Sequence, residues 1–119
     1  MDRDDLKNYC VAKKGTTAEF PFGPEALVMK VRGKMFALIP VGEADPTSIS
    51  LKCDPTLAEM QRQTYPGTVT PGYHMNKRHW NTVLVDGTIP DDELLEMIDH
   101  SYELVVQGLP KAEREGLGS

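Results

Sequence analysis

Between Ala26 and Val41 the apolar residues alternate, cross a tight turn and resume. Leu27, Met29 and Val31 point to one side of this stretch; Val28, Lys30 and Arg32 point to the other. Arg32-Gly33-Lys34 separates the two arms, and Met35 to Val41 is the more continuously apolar arm. A period of two on both sides of a glycine turn specifies a β-hairpin, because successive strand side chains face opposite ways. A hairpin this apolar must be covered on one face, so another part of the chain has to supply the cover.

Helical segments supply it. Asp2 to Lys14 places Leu6, Tyr9, Cys10 and Lys13 on one face, with acids at its start, Lys13 and Lys14 at its end and Gly15 just beyond. Asp54-Pro55 starts a second helix, with Asp54 as N-cap and Leu57, Met60, Gln61 and Thr64 as its expected buried face. Tyr65-Pro66-Gly67 ends it. In the third helix Leu95, Ile98, Tyr102, Val105, Val106 and Leu109 repeat at helical spacing after Thr88 as a cap, Pro90 and three acids. Gly108 and Pro110 stop it. Lys111 to Ser119 is a polar tail with room for one more helical turn.

Further extended segments complete the pattern. Thr16 to Phe22 reads as extended, with Pro21 at an edge or end. Ser48 to Cys53 alternates, with Ile49, Leu51 and Cys53 inward and Ser48, Ser50 and Lys52 outward. Thr68 to Thr70 is a short strand and Trp80 to Val85 a longer one, while Tyr73 to His79 fits either a helical turn or a loop. The expected fold is α+β: an antiparallel sheet of about five to six strands, with N-terminal, middle and C-terminal helices packed against it. At 119 residues, a single domain spanning the chain is expected.

Composition removes several classes of function. The chain is 39% hydrophobic and 26% charged, and no apolar run approaches the roughly 20 residues that cross a bilayer. The start, Met1-Asp-Arg-Asp-Asp, does not read as a signal peptide. Cys10 and Cys53 form no Cys-x-x-Cys pair and read as free buried thiols, so a cytoplasmic location is expected. Net charge is −5, but residues 1–78 carry +2 and residues 79–119 carry −7. An acidic total with a mildly basic body still allows a local basic patch.

No reaction is announced by the residues. His74 and His79 are five apart, one more than stacks ligands on a helix face, so no metal site is expected. Gly-x-Ser-x-Gly and the phosphate-binding glycine loops are absent. Both thiols sit at buried positions, where thiols are inert. The densest polar constellation is Tyr73-His-Met-Asn-Lys-Arg-His-Trp80. It sets cations beside stacking groups, the combination that contacts phosphates and bases. Lys30, Arg32, Lys34 and Lys52 could extend that surface. The plainer alternative makes Trp80 a core anchor and Lys77 and Arg78 solvated charges.

Several stretches resemble the MmcQ/YjbR family. They are Leu6-x-x-Tyr-Cys10, Met29-Lys-Val-x-Gly-Lys-Met-Phe36, Ile49-Ser-Leu-Lys52-Cys-Asp-Pro55, His74-Met-Asn-Lys-Arg-His-Trp80, Val85-Asp-Gly-Thr-Ile-Pro90 and Ile98-Asp-His-Ser-Tyr102. The resemblance implies a CyaY/frataxin-like architecture and DNA binding through paired hairpin wings. It carries over no catalytic residue. Lys52, Asn76, Lys77 and Trp80 match the family pattern.

The leading expectation is a non-enzymatic, monomeric, cytoplasmic DNA-binding protein without cofactor. Its candidate contacts are Lys30, Arg32, Lys34, Lys52, His74, Asn76, Lys77, Arg78, His79 and Trp80. The overall acidity makes such binding modest and salt-sensitive. The alternative is a protein-interaction or small-ligand module, with Tyr73 and Trp80 flanking a shallow pocket. A metal chaperone, suggested by fold analogy and acidic helices, ranks third.

Overall fold

A computed structural model describes residues 1–42, 45–72 and 75–118. The hairpin expected between Ala26 and Val41 is present as β2 (Ala26–Val31) and β3 (Lys34–Pro40), paired antiparallel. Its turn residues Arg32 and Gly33 both have positive φ, at 49° and 81°, the geometry whose twist matches a two-residue hairpin. Around it lie β1 (Thr16–Glu19), β4 (Thr47–Lys52), β5 (Val69–Pro71) and β6 (Trp80–Val85). The six strands form one antiparallel sheet in the order β1-β2-β3-β4-β6-β5. The helices are α1 (Arg3–Val11), α2 (Pro55–Thr64), α3 (Asp91–Gln107) and α4 (Lys111–Gly118). The α+β expectation holds.

The core lies between the helices and one sheet face. Leu6 and Cys10 of α1, and Leu94, Ile98 and Val105 of α3, pack on Leu27, Met29, Phe36, Ile39, Ile49, Leu51 and Val83. The Phe36 and Tyr102 rings meet edge to face, with ring centres 5.3 Å apart. Burying each large apolar side chain contributes about 1.5–3 kcal/mol, so this layer dominates the stability. The polar tail is helical, and its Leu117 joins the core.

Three local expectations change. The residue before α3 is Pro90 and no side chain caps the helix, so Thr88 is not the cap. The strand expected over Thr16–Phe22 stops at Glu19, and Phe20 and Phe22 are exposed. On α2 the buried residue is Ala58, whereas Met60 is 57% exposed. The sheet residue facing α2 is the polar Asn81, which is matched by Gln61 and Arg62 rather than by an apolar stripe.

Candidate nucleic-acid interface

Antiparallel pairing decides which candidates meet. β2 ends, β3 begins, β4 ends and β6 begins at the same end of the sheet. That end therefore gathers Lys30, Arg32, Lys34, Lys52, Asn76, Lys77, Arg78, His79 and Trp80 from distant parts of the chain. Tyr73 and His74 lie outside the described residues. At the opposite end Met1, Asp2, Arg3, Gly42, Asp45, Thr47 and Val85 line a shared hollow of mixed charge, and the amino terminus lies 3.9 Å from Asp91.

Alternation also assigns faces. Met29, Val31, Leu51 and Val83 belong to the core, so Lys30, Lys52 and Trp80 project from the other face. Val28, Leu38 and Leu84 are likewise outside the core cluster. Val28 is nonetheless fully buried, so this second face is itself covered at β2. Lys52 pairs in register with Trp80 across β4 and β6. The neighbouring hydrogen bond from Cys53 N–H to the His79 carbonyl, 2.7 Å, makes this the close, non-hydrogen-bonded type of pair. Ser50 lies on the same face, as expected, but is 6% exposed, with its hydroxyl 3.0 Å from that of Thr82.

The candidates divide by what already holds them. Lys30 lies 3.6 Å from Glu19. Arg32 folds back against α4, where its guanidinium lies 3.2 Å from the point a Cβ on Gly116 would occupy. Asn76 is built into a turn: its side-chain oxygen accepts from Arg78 N–H at 3.0 Å, and its carbonyl accepts from His79 and Trp80 N–H. Lys77 donates to the Gly72 carbonyl at 3.1 Å. Lys34, Lys52 and Arg78 have no side-chain partner among the described residues. His79 is half-buried.

Sequence reading missed three residues that build this end. Arg62 donates to Asn81 Oδ1 at 2.7 Å and to the Lys77 and Trp80 carbonyls, clamping the 76–80 turn to α2. Gly72 leaves room for Trp80, since a Cβ there would lie 2.9 Å from the Trp80 Cβ. Ser101, fully buried on α3, accepts from Lys52 N–H at 2.9 Å and donates to the Phe36 carbonyl at 2.5 Å. It bridges β3 and β4 where their direct pairing stops at Ala37 and Leu51.

Other chemistry lies apart from this end. A cleft of about 380 Å³ opens between α2 and α3, with Leu57, Met60 and Met97 beside Glu93, Glu96 and His100. Burial pushes the Cys10 thiol up to about 12 and the Cys53 thiol up to about 11, which keeps both protonated. Both thiols are free. Among the described residues, no group of three or more His, Cys, Asp or Glu side chains could hold a metal ion. No helix among them is long and apolar enough to cross a membrane.

Comparison with known proteins places this arrangement in a family. The family model YjbR matches residues 11–104. The Escherichia coli K12 protein YjbR is 37% identical over 115 residues, covering 97% of this chain and 96% of its own. YyaQ of Bacillus subtilis is 27% identical, covering 87% and 98%. A crystal structure of the Deinococcus radiodurans protein DR2400 superimposes with a TM-score of 0.91 at 43% identity, over 98% of this chain and 88% of that one. On the family match and these full-length similarities, the chain belongs to the YjbR family.

Proposed function

We propose that the chain binds DNA, without a catalytic step, through the basic end of its sheet. The observation that carries this reading is the gathering of Lys30, Lys34, Lys52, Arg78 and Trp80 at one end of the sheet. Lysine and arginine heads neutralise phosphates, and an indole offers a stacking surface. The protonated, buried thiols argue against nucleophilic chemistry and suit a reducing compartment such as the cytoplasm. The reading requires one copy of the chain.

Fluorescence anisotropy of a labelled random duplex and of its separated strand, at low and physiological salt, tests this. Binding should appear at low salt, collapse as salt rises, and weaken at least tenfold in Lys34→Glu/Arg78→Glu. No binding of either DNA at low salt would end the reading.

A second reading is favoured by the cleft between α2 and α3. Its apolar walls and two carboxylates suit a small amphipathic amine. Amide shifts confined to the cleft on addition of phenethylamine, and absent with phenylacetate, would support it.

A further inference from the structure

The last helix meets the basic end at Arg32. The Arg32 guanidinium lies 3.7 Å from the point a Cβ on Gly15 would occupy, and 3.2 Å from the same point on Gly116 of α4. Burial raises the nearby Tyr102 phenol, and the Arg32 charge works against that rise. Arg32 is thus folded between α4 and the start of β1, away from the heads of Lys34 and Lys52. We propose that α4 is a latch that withholds Arg32 from nucleic acid, so that undocking α4 adds one phosphate contact to the basic end. The inference rests on the DNA-binding reading and names how that site is regulated.

The latch is held by little. Lys111 to Gly116 are exposed, and among the described α4 residues Leu117 alone enters the core. Its seat is Gly15, where a Cβ would lie 2.5 Å from Leu117 Cδ2. The bond from Arg114 to the Gln107 carbonyl, 3.2 Å, ties α4 to the end of α3 and not to the sheet. Isolated helices shorter than roughly 12–15 residues are marginal in water, and α4 has 8. Loss of the Leu117 seat should therefore release the whole of α4. Leu109, buried just before it, keeps the end of α3 in the core.

Release changes the charge of the basic end in one way. α4 carries Lys111, Glu113, Arg114 and Glu115, two cations and two carboxylates that cancel. Its departure therefore removes no net charge, and Arg32 is the group it frees. Arg32 sits in the turn between Lys30 and Lys34, so a freed guanidinium joins those heads. A guanidinium can then hold a phosphate through two parallel hydrogen bonds.

The test compares Leu117→Ser with the parent chain, each with and without Arg32→Gln. Anisotropy of a labelled random duplex is read between about 50 and 200 mM salt. Leu117→Ser should bind several-fold more tightly at low salt, and its slope of log affinity against log salt should steepen by about 0.9, the share of one phosphate. Arg32→Gln should leave the parent unchanged and abolish the gain in Leu117→Ser. The Arg32 Nε–H resonance should move in Leu117→Ser towards that of an exposed arginine. Leu117→Ala serves if Leu117→Ser does not fold. Unchanged affinity and slope in Leu117→Ser, or a gain that survives Arg32→Gln, would overturn the inference while leaving the DNA-binding reading intact. Failure of every variant and of the parent to bind at low salt would overturn both.

Discussion

The hydroxyl of Ser101 makes both of its hydrogen bonds to strands rather than to its own helix. It joins β3 and β4 where their backbones have parted next to Phe36, and so sets the separation of the strands beside Lys52. Removing it leaves a buried carbonyl and a buried N–H without partners, at a cost of about 1–3 kcal/mol. Ser101→Ala should lower the urea midpoint accordingly without changing the denaturant slope. The sequence holds a faint sign of this role, a serine on the stripe formed by Ile98, Tyr102 and Val105. A polar residue at a core position has to find a partner, but which partner depends on strands some 50 to 65 residues away. Gly72 was legible only as a turn residue, because its contact with Trp80 is set by pairing across the sheet.

At the level of elements, periodicity recovered nearly every strand and helix, because apolar burial sets their period. It failed on the buried face of α2. There Ala58, Gln61 and Arg62 face a strand whose inward residue is Asn81, so the apolar positions Leu57 and Met60 are left lining a cleft. Arg62→Met should cost about 2–3 kcal/mol, since it removes a charged hydrogen bond from buried Asn81. It should also free the 76–80 turn, read as faster amide exchange at His79 and Trp80. The joint between α1 and α3 is electrostatic as well as apolar. Asp99 accepts from Tyr9 at 2.7 Å and lies 2.5 Å from Lys13, whose ammonium sits over the Tyr9 and Tyr102 rings.

Burial works to raise the Asp99 carboxyl, but the bonds from Lys13 and Tyr9 prevail and hold it below its ordinary value of 3.8. The bond to Asp99, helped by burial, pushes Tyr9 from 10 up to about 12. A lowered acid stabilises above its unfolded pKa, and a raised phenol stabilises below its own. Stability from this joint should therefore fall below pH 3.8 and again between pH 10 and 12. Urea titrations across pH check both limits, and in Tyr9→Phe the alkaline fall should shrink by one proton's share.

Over the whole molecule, the sheet order turns a scattered set of cations into one pole. The order of residues along the chain could not say which of those cations were free. Asn76 and Lys77 proved to be part of the scaffold, and Arg32 faces α4, because the turns recruit them for their own hydrogen bonds. On the proposed reading the three heads without a partner among the described residues, Lys34, Lys52 and Arg78, set the expected salt response. Neutralising three phosphates makes duplex affinity fall about 40-fold between 50 and 200 mM salt. Single-strand affinity falls less, about 20-fold, and paired anisotropy titrations distinguish the two slopes.

The basic end belongs to a chain whose net charge is −5. On the proposed reading, a polyanion is repelled by the whole and drawn only to that end, and only within about 10 Å, the screening distance at 0.1 M salt. The net charge would then act as a filter on orientation: approaches to the rest of the surface are turned back, and those that meet the gathered cations persist.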